Sequence, residues 1–253
     1  MKKIITLTLF ILCLICSVAF AADKIDDLTD YQWLKKGKEY ADKQDYASAI
    51  KAYSNAITIN PRLPYVYVYR SFSYLMEGLY DDCIEDCSIV ILVSPEFHEN
   101  AYIYRGYAYV EKGLYSNAID DFSKVISLQP LQPLQPYAYI NRARVYAIMK
   151  LYDKAMDDYC KAIAVSPQFD IAYNNRGLLH ALKGSYAQAI DDFNQAIAIN
   201  PQYALPYYYK ALAYEYLNNK NGAVEFYQKF LKIAKTGDPN IVTAQKRLAV
   251  LGD

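Results

Sequence analysis

The chain has 253 residues, 54% apolar and 21% charged, with 27 basic and 27 acidic side chains that cancel. That apolar share excludes a disordered segment. The lack of net charge and of any Lys/Arg-rich run removes support for nucleic-acid or anionic-membrane binding.

Residues 1–21 stand apart. Lys2 and Lys3 give a positive start, residues 4–20 are almost wholly apolar, and Ala19-Phe20-Ala21 is an A-x-A site. This reads as a bacterial-style secretory signal peptide cut after Ala21, so the mature chain is expected in the periplasm or outside the cell. The alternative is an uncleaved anchor, for which seventeen apolar residues are at the lower edge of spanning length. Cleavage leaves no membrane span. Cys16 follows Ile15, which is bulkier than a lipoprotein site takes. Residues 22–29 form a polar lead-in, with Thr29 or Asp30 available as an N-cap.

From residue 30 a pattern recurs about every 34 residues. Pro61, Pro95, Pro130, Pro167 and Pro201 close the segments 30–63, 64–97, 99–132, 136–169 and 170–203. A sixth segment, 204–237, has Lys235 in place of its proline. About eight residues before each proline stands Tyr53, Cys87, Phe122, Tyr159 or Phe193. Four earlier stands Ala49, Cys83, Ala118, Ala155 or Ala189. Small residues at Gly37, Gly106, Ala143, Gly177 and Ala211 predict the close approach of two helices within each segment. The tyrosines three places on, such as Tyr40, Tyr74 and Tyr146, fill the gap beside the second helix. Proline then ends that helix, because it lacks an N–H and clashes with the preceding turn. One such hairpin cannot bury its apolar face alone, so neighbours must stack.

The spacing is regular except for one extra residue near His98 and three extra residues between hairpins three and four. The triplet Leu-Gln-Pro occurs three times in residues 128–136. Prolines at that spacing predict a stiff extended linker, either a tolerated duplication or a divider between two three-hairpin halves. After the sixth segment, residues 239–251 predict a capping helix with Ile241, Ala244, Leu248 and Leu251 on one face and Lys246 and Arg247 outward.

The residues Trp33, Gly37, Tyr40, Ala49, Tyr53, Ala56 and Pro61 resemble the tetratricopeptide repeat, with Lys36 where its leucine belongs. Gly106, Tyr109, Ala118, Phe122 and Pro130 match the same pattern, as do Gly177, Ala189, Phe193, Ala196 and Pro201. The resemblance implies an all-α protein, a right-handed α-solenoid of six hairpins with a C-terminal capping helix. It also implies a non-catalytic scaffold whose partner is another protein or a peptide segment.

Cys83 and Cys87 replace the small residue and the aromatic of hairpin two. They read as small buried hydrophobes, the alternative being a redox pair, for which a helical four-residue spacing is poor. His98 lies between hairpins two and three, and His180 replaces the packing tyrosine of hairpin five. No nucleophile–base set, metal-ligand spacing or phosphate loop accompanies them, so neither an enzyme activity nor a cofactor is expected.

A charge pair is written into four hairpins. Arg70, Arg105, Arg142 and Arg176 replace the leucine before the small residue. Asp86, Asp121, Asp158 and Asp192 each follow sixteen residues later. Hairpin one has Lys36 with Ala52 instead, and hairpin six Lys210 with Phe226. Arginine and aspartate appear together or fail together, which predicts partly buried interhelical salt bridges; an anionic-ligand site is the alternative.

In this fold the first helix of each hairpin lines the concave surface, with the second, fifth, sixth, ninth, twelfth and thirteenth places inward. The candidate partner groove then holds Tyr65, Tyr69 and Phe72 from hairpin two and Tyr104 and Tyr107 from hairpin three. Hairpin four adds Asn141 and Arg144, hairpin five Asn174 and Asn175, and hairpin six Tyr208. The chain has 28 tyrosines, and tyrosine combines large contact area with a polar tip, the mix enriched at recognition surfaces. Repeated amides such as Asn141 and Asn175 can hold a peptide backbone, or stand as solvated helix residues. The clamp that the family uses for chaperone C-termini is not matched by Leu34, Lys38, Tyr69, Asn100 and Tyr104. The reading is an envelope scaffold gripping a partner segment, with glycan or peptidoglycan binding on the same rings as the alternative.

Overall fold

A computed structural model describes residues 28–128 and 134–252. The leader with Cys13 and Cys16, and the centre of the Leu-Gln-Pro run, lie outside the described residues. The described residues form thirteen α-helices in chain order and no strand. They are α1 (Asp30–Asp42), α2 (Tyr46–Ile59), α3 (Pro64–Met76), α4 (Tyr80–Val93), α5 (His98–Glu111), α6 (Tyr115–Ser127) and α7 (Gln135–Ile148). Then come α8 (Tyr152–Val165), α9 (Asp170–Leu182), α10 (Tyr186–Ile199), α11 (Ala204–Tyr216), α12 (Lys220–Ile233) and α13 (Asn240–Gly252). They divide into two compact bodies, α1 to α5 up to Leu114 and α6 to α13 from Tyr115.

Local chemistry sets the helix ends. Thr29 is the N-cap of α1: its Oγ1 accepts from Gln32 N at 3.2 Å, and Gln32 Oε1 accepts from Thr29 N at 2.8 Å, a reciprocal capping box. Asp45 and Asn219 cap α2 and α12 with a single bond each, their side-chain oxygens accepting from Ser48 N and Gly222 N. Between the helices of each pair one residue turns left-handed: Gln44, Gly78, Gly113, Lys150, Gly184 and Asn218, with φ between 55° and 78°. Glycine enters that conformation without a Cβ penalty, which explains its use in three of the six turns.

Small residues let the paired helices touch. A Cβ built on Gly37 would come within 2.3 Å of the Tyr53 ring, and one on Gly177 within 2.7 Å of Phe193. Those rings are buried, as are Tyr227 and Phe230, and burying each stabilises by about 1.5–3 kcal/mol. Asn60 and Asn200, one place before the closing prolines, donate back to Asp30 and Asp170 at 3.0 and 2.7 Å. Tyr67 and Tyr207 donate to the carbonyls of Pro61 and Pro201, tying each following hairpin to the turn before it.

Cys83 and Cys87 are fully buried free thiols in the core of the first body, packed with Val68, Val90 and Ala108. Hydrogen bonding to Cys87 and burial push the Cys83 thiol well up, which favours its protonated form. In the second body α13 buries Ala244 against Tyr208, Tyr227 and Phe230, with Ile241, Leu248 and Leu251 alongside. Lys246 and Arg247 are exposed.

Candidate functional site

Arg70, Arg142 and Arg176 of the charge ladder are each held by three bonds. Arg70 gives Nε and Nη2 to the two carboxylate oxygens of Asp86, both at 2.8 Å. Arg142 holds Asp158 at 2.7 and 2.8 Å, and Arg176 holds Asp192 at 2.9 and 2.7 Å. The remaining Nη1 reaches back to the preceding hairpin: Arg70 to Ser54 at 2.9 Å, Arg105 to Ser88 at 2.9 Å, Arg142 to Ser123 at 2.7 Å and Arg176 to Cys160 Sγ at 3.5 Å. Arg105 belongs to the first body and Asp121, buried, to the second. Tyrosines flank the guanidinium planes, Tyr67 and Tyr74 at 5.5 Å from Arg70, Tyr139 and Tyr146 at 5.8 and 5.9 Å from Arg142. For Arg70 and Arg142, burial alone would favour the neutral form. The hydrogen bonds and charge of the aspartate outweigh it and raise both pKa values.

The contact to the previous hairpin escapes the single-hairpin comparison of the sequence. Its signal is a small polar residue directly after the core aromatic, or after Cys87 in its place: Ser54, Ser88, Ser123 and Cys160. The clamps also claim many of the tyrosines, which therefore do not serve a groove.

Among the described residues, each body carries an open depression lined mainly by aromatic rings of its first helices. In the first, about 380 Å³ is bounded by Lys38, Asp42, Tyr53, Tyr69, Phe72 and Tyr104. Tyr69 is 39% exposed and stacks on buried Tyr53, centroids 6.0 Å apart, while Lys38 Nζ lies 4.5 Å over the Tyr69 ring. Phe72 packs against Tyr104 at 5.5 Å and edge-on to Tyr46 at 6.0 Å. Burial lifts the Tyr53 phenol to about 12 and raises that of Tyr104, so both stay neutral donors. Tyr65 stands beside this group, tilted on Phe97 at 6.4 Å, and Tyr107 is half-buried.

The second depression, also about 380 Å³, lies between α9 and α11. Leu178, Leu182, Leu212 and Tyr209 line it, and Tyr186 stacks on Tyr216 at 4.7 Å with rings 2° from parallel. Both depressions use the sixth, ninth, twelfth and thirteenth places of the first helices.

The fifth place does not belong to them. Leu34, Val68, Ile103, Ile140, Asn174 and Tyr208 hold that place, and all are buried. At 100° per residue the fifth place shares a stripe with the small eighth residue, which faces the packed neighbours rather than the open side. Asn174 is therefore not a groove amide: it is 2% exposed and donates to Asn175 Oδ1 at 3.3 Å. Tyr208 is not a groove ring, because it packs on Tyr227 and Phe230 beneath α13. Asn141, at a sixth place, is 5% exposed and so cannot hold a peptide backbone without rearrangement. Arg144 is exposed and Asn175 half-buried, and neither is among the residues that line the two depressions. Among the described residues no cluster of His, Cys, Asp or Glu is suited to hold a metal, and no helix is long and apolar enough to cross a membrane.

Family models described as tetratricopeptide repeat match residues 100–130, 136–169, 171–203 and 207–234, and one described as TPR repeat matches 37–78. The small glutamine-rich tetratricopeptide repeat-containing protein 2 of Mycosarcoma maydis is 32% identical over 73 residues, which are 28% of this chain and 21% of that relative. The structure of PilW, a widely conserved type IV pilus biogenesis factor, superposes with a TM-score of 0.72 at 18% identity, covering 85% of this chain and 98% of PilW. YrrB, a TPR protein with an unusual peptide-binding site, gives 0.53 at 19% identity over 79% of this chain and all of its own. With matched segments over most of its length and helices in successive pairs, the chain belongs to the tetratricopeptide repeat family.

Proposed function

We propose that this protein is a non-catalytic scaffold of the bacterial envelope that grips a segment of a partner protein on its open aromatic depressions. The observation that carries this reading is the ring set of the first body, where exposed Tyr69 is braced by Tyr53 and Lys38 beside Phe72 and Tyr104. Braced rings offer contact area with little conformational entropy left to lose on binding, and Lys38 and the phenols supply donors for backbone carbonyls. The depression of the second body, with the Tyr186–Tyr216 stack, offers a further hold of the same character. Export rests on the leader pattern of residues 1–21. PilW and YrrB, of the same fold, are a pilus biogenesis factor and a protein with a peptide-binding site, which suits this class of work.

The test is Tyr69→Ala in the full chain. Partner capture from envelope extract should fall while the melting temperature stays within about 1–2 °C, since Tyr69 is a surface ring. Capture that survives would move the site elsewhere. Retention on purified peptidoglycan with no protein captured would replace the peptide reading by a glycan one.

A further inference from the structure

The sixth hairpin breaks the charge ladder. Lys210 stands at the arginine place, and Phe226 stands where the aspartate would be. Lys210 is nonetheless 7% exposed. Its Nζ donates to Asn194 Oδ1 at 2.5 Å and lies 3.7 Å over the Phe226 ring. Lys229 lies over the same ring at 4.6 Å. Lys210, Lys229 and Lys232 all line one cleft of about 390 Å³ among α10, α11 and α12. Glu225 is the one nearby acid in bonding range of these lysines among the described residues, and it is engaged by Lys229 at 2.6 Å on the exposed side. Among the described residues no carboxylate pairs with Lys210 or Lys232. Burial and the charge of Lys229 work against Lys210's own charge and outweigh the opposing pull of Glu225, a cost that the other hairpins offset with a directly bonded aspartate. Ile197, Tyr207 and Ile233 give the cleft apolar walls.

We propose that this cleft is a second binding site, which takes a carboxylate presented between apolar residues of a partner polypeptide. The incoming acid would occupy, from outside, the electrostatic role that Asp86, Asp158 and Asp192 play from within. Charge complementarity selects the occupant: three cations with one internal counter-charge favour an acidic segment, and the apolar walls favour one flanked by hydrophobic side chains. This inference does not rest on the aromatic depressions.

The probe is a fluorescently labelled, capped peptide Gly-Leu-Asp-Leu-Gly, compared with its Asn counterpart by fluorescence anisotropy on the full chain. The Asp peptide should bind at least about tenfold more tightly, the worth of one charge-assisted contact. Lys210→Met should lose that preference. Phe226→Asp, which restores the internal acid, should lose it as well. Lys232→Gln, an exposed change that leaves the fold intact, should weaken binding several-fold and keeps the test decisive if the buried variants fold poorly. Tyr69→Ala should leave the peptide affinity unchanged, which separates this site from the one above. Equal affinity for the Asp and Asn peptides, wild-type affinity in Lys232→Gln, or displacement by inorganic phosphate at matching concentration would overturn the proposal.

Discussion

Arg142→Ala is the sharpest test of the ladder. The guanidinium makes two bonds to Asp158, at 2.7 and 2.8 Å, and a third to Ser123 at 2.7 Å across the hairpin boundary. The Asp158 side chain is 3% exposed and that of Arg142 16%. Truncation therefore strands a carboxylate that water barely reaches. Breaking a buried pair from one side costs about 3–5 kcal/mol, whereas an exposed pair is worth at most about 1 kcal/mol. At about 2–4 °C per kcal/mol for a chain of this size, the melting temperature should drop by on the order of 10 °C, read by circular dichroism at the helical band. Removing both charges with Arg142→Met and Asp158→Leu should recover most of the loss, because no buried ion is left alone. Ser123→Ala should cost about 1 kcal/mol, the net value of one hydrogen bond. An unchanged melting temperature in Arg142→Ala, or a double variant worse than the single one, would refute the reasoning.

Gly37→Ala adds a methyl that meets the Tyr53 ring at 2.3 Å. Helix propensity gains about 1 kcal/mol, but overpacking costs about 1–3 kcal/mol, so a net loss of about 1 kcal/mol is expected in denaturant titration; a gain would mean that the ring yields freely. His180 is held below its ordinary pKa of 6.5 chiefly by burial, with Arg176 and Lys183 adding to the effect and Asp192, at 3.8 Å, opposing it. A depressed histidine contributes stability that is present above its unfolded pKa and lost as pH falls below it. His180→Tyr, which installs the residue that other hairpins use, should flatten the fall in melting temperature between about pH 7 and pH 5; an unaltered slope would place the titration elsewhere.

Much of this was legible from residue spacing, because a repeat writes its packing several times over. The recurrence of Gly37, Tyr53 and Pro61 at fixed offsets encodes a hairpin whose helices touch, and the Arg–Asp offset of sixteen is the span from the first helix to the second. The places lining both depressions also follow from helical period. What spacing obscured was the difference between the fifth place and the sixth. They are neighbours on the helical wheel, and only the packing of adjacent hairpins decides that Val68 and Asn174 are covered while Tyr69 is open. Tyr208 was misread for a related reason: α13 packs over it at the end of the array, where no earlier hairpin offers a precedent. The contacts of Ser54 and Ser123 to the next arginine lie between repeats, so a comparison confined to one repeat at a time passes over them.

The central claim, that the aromatic depression of the first body receives a partner polypeptide, is tested most directly by a photoreactive amino acid at position 104. Irradiation in cells should give a discrete adduct with a protein, lost in Tyr69→Ala and absent when the same group is placed at exposed Val250. No adduct at position 104, or one equally strong at position 250, would contradict it.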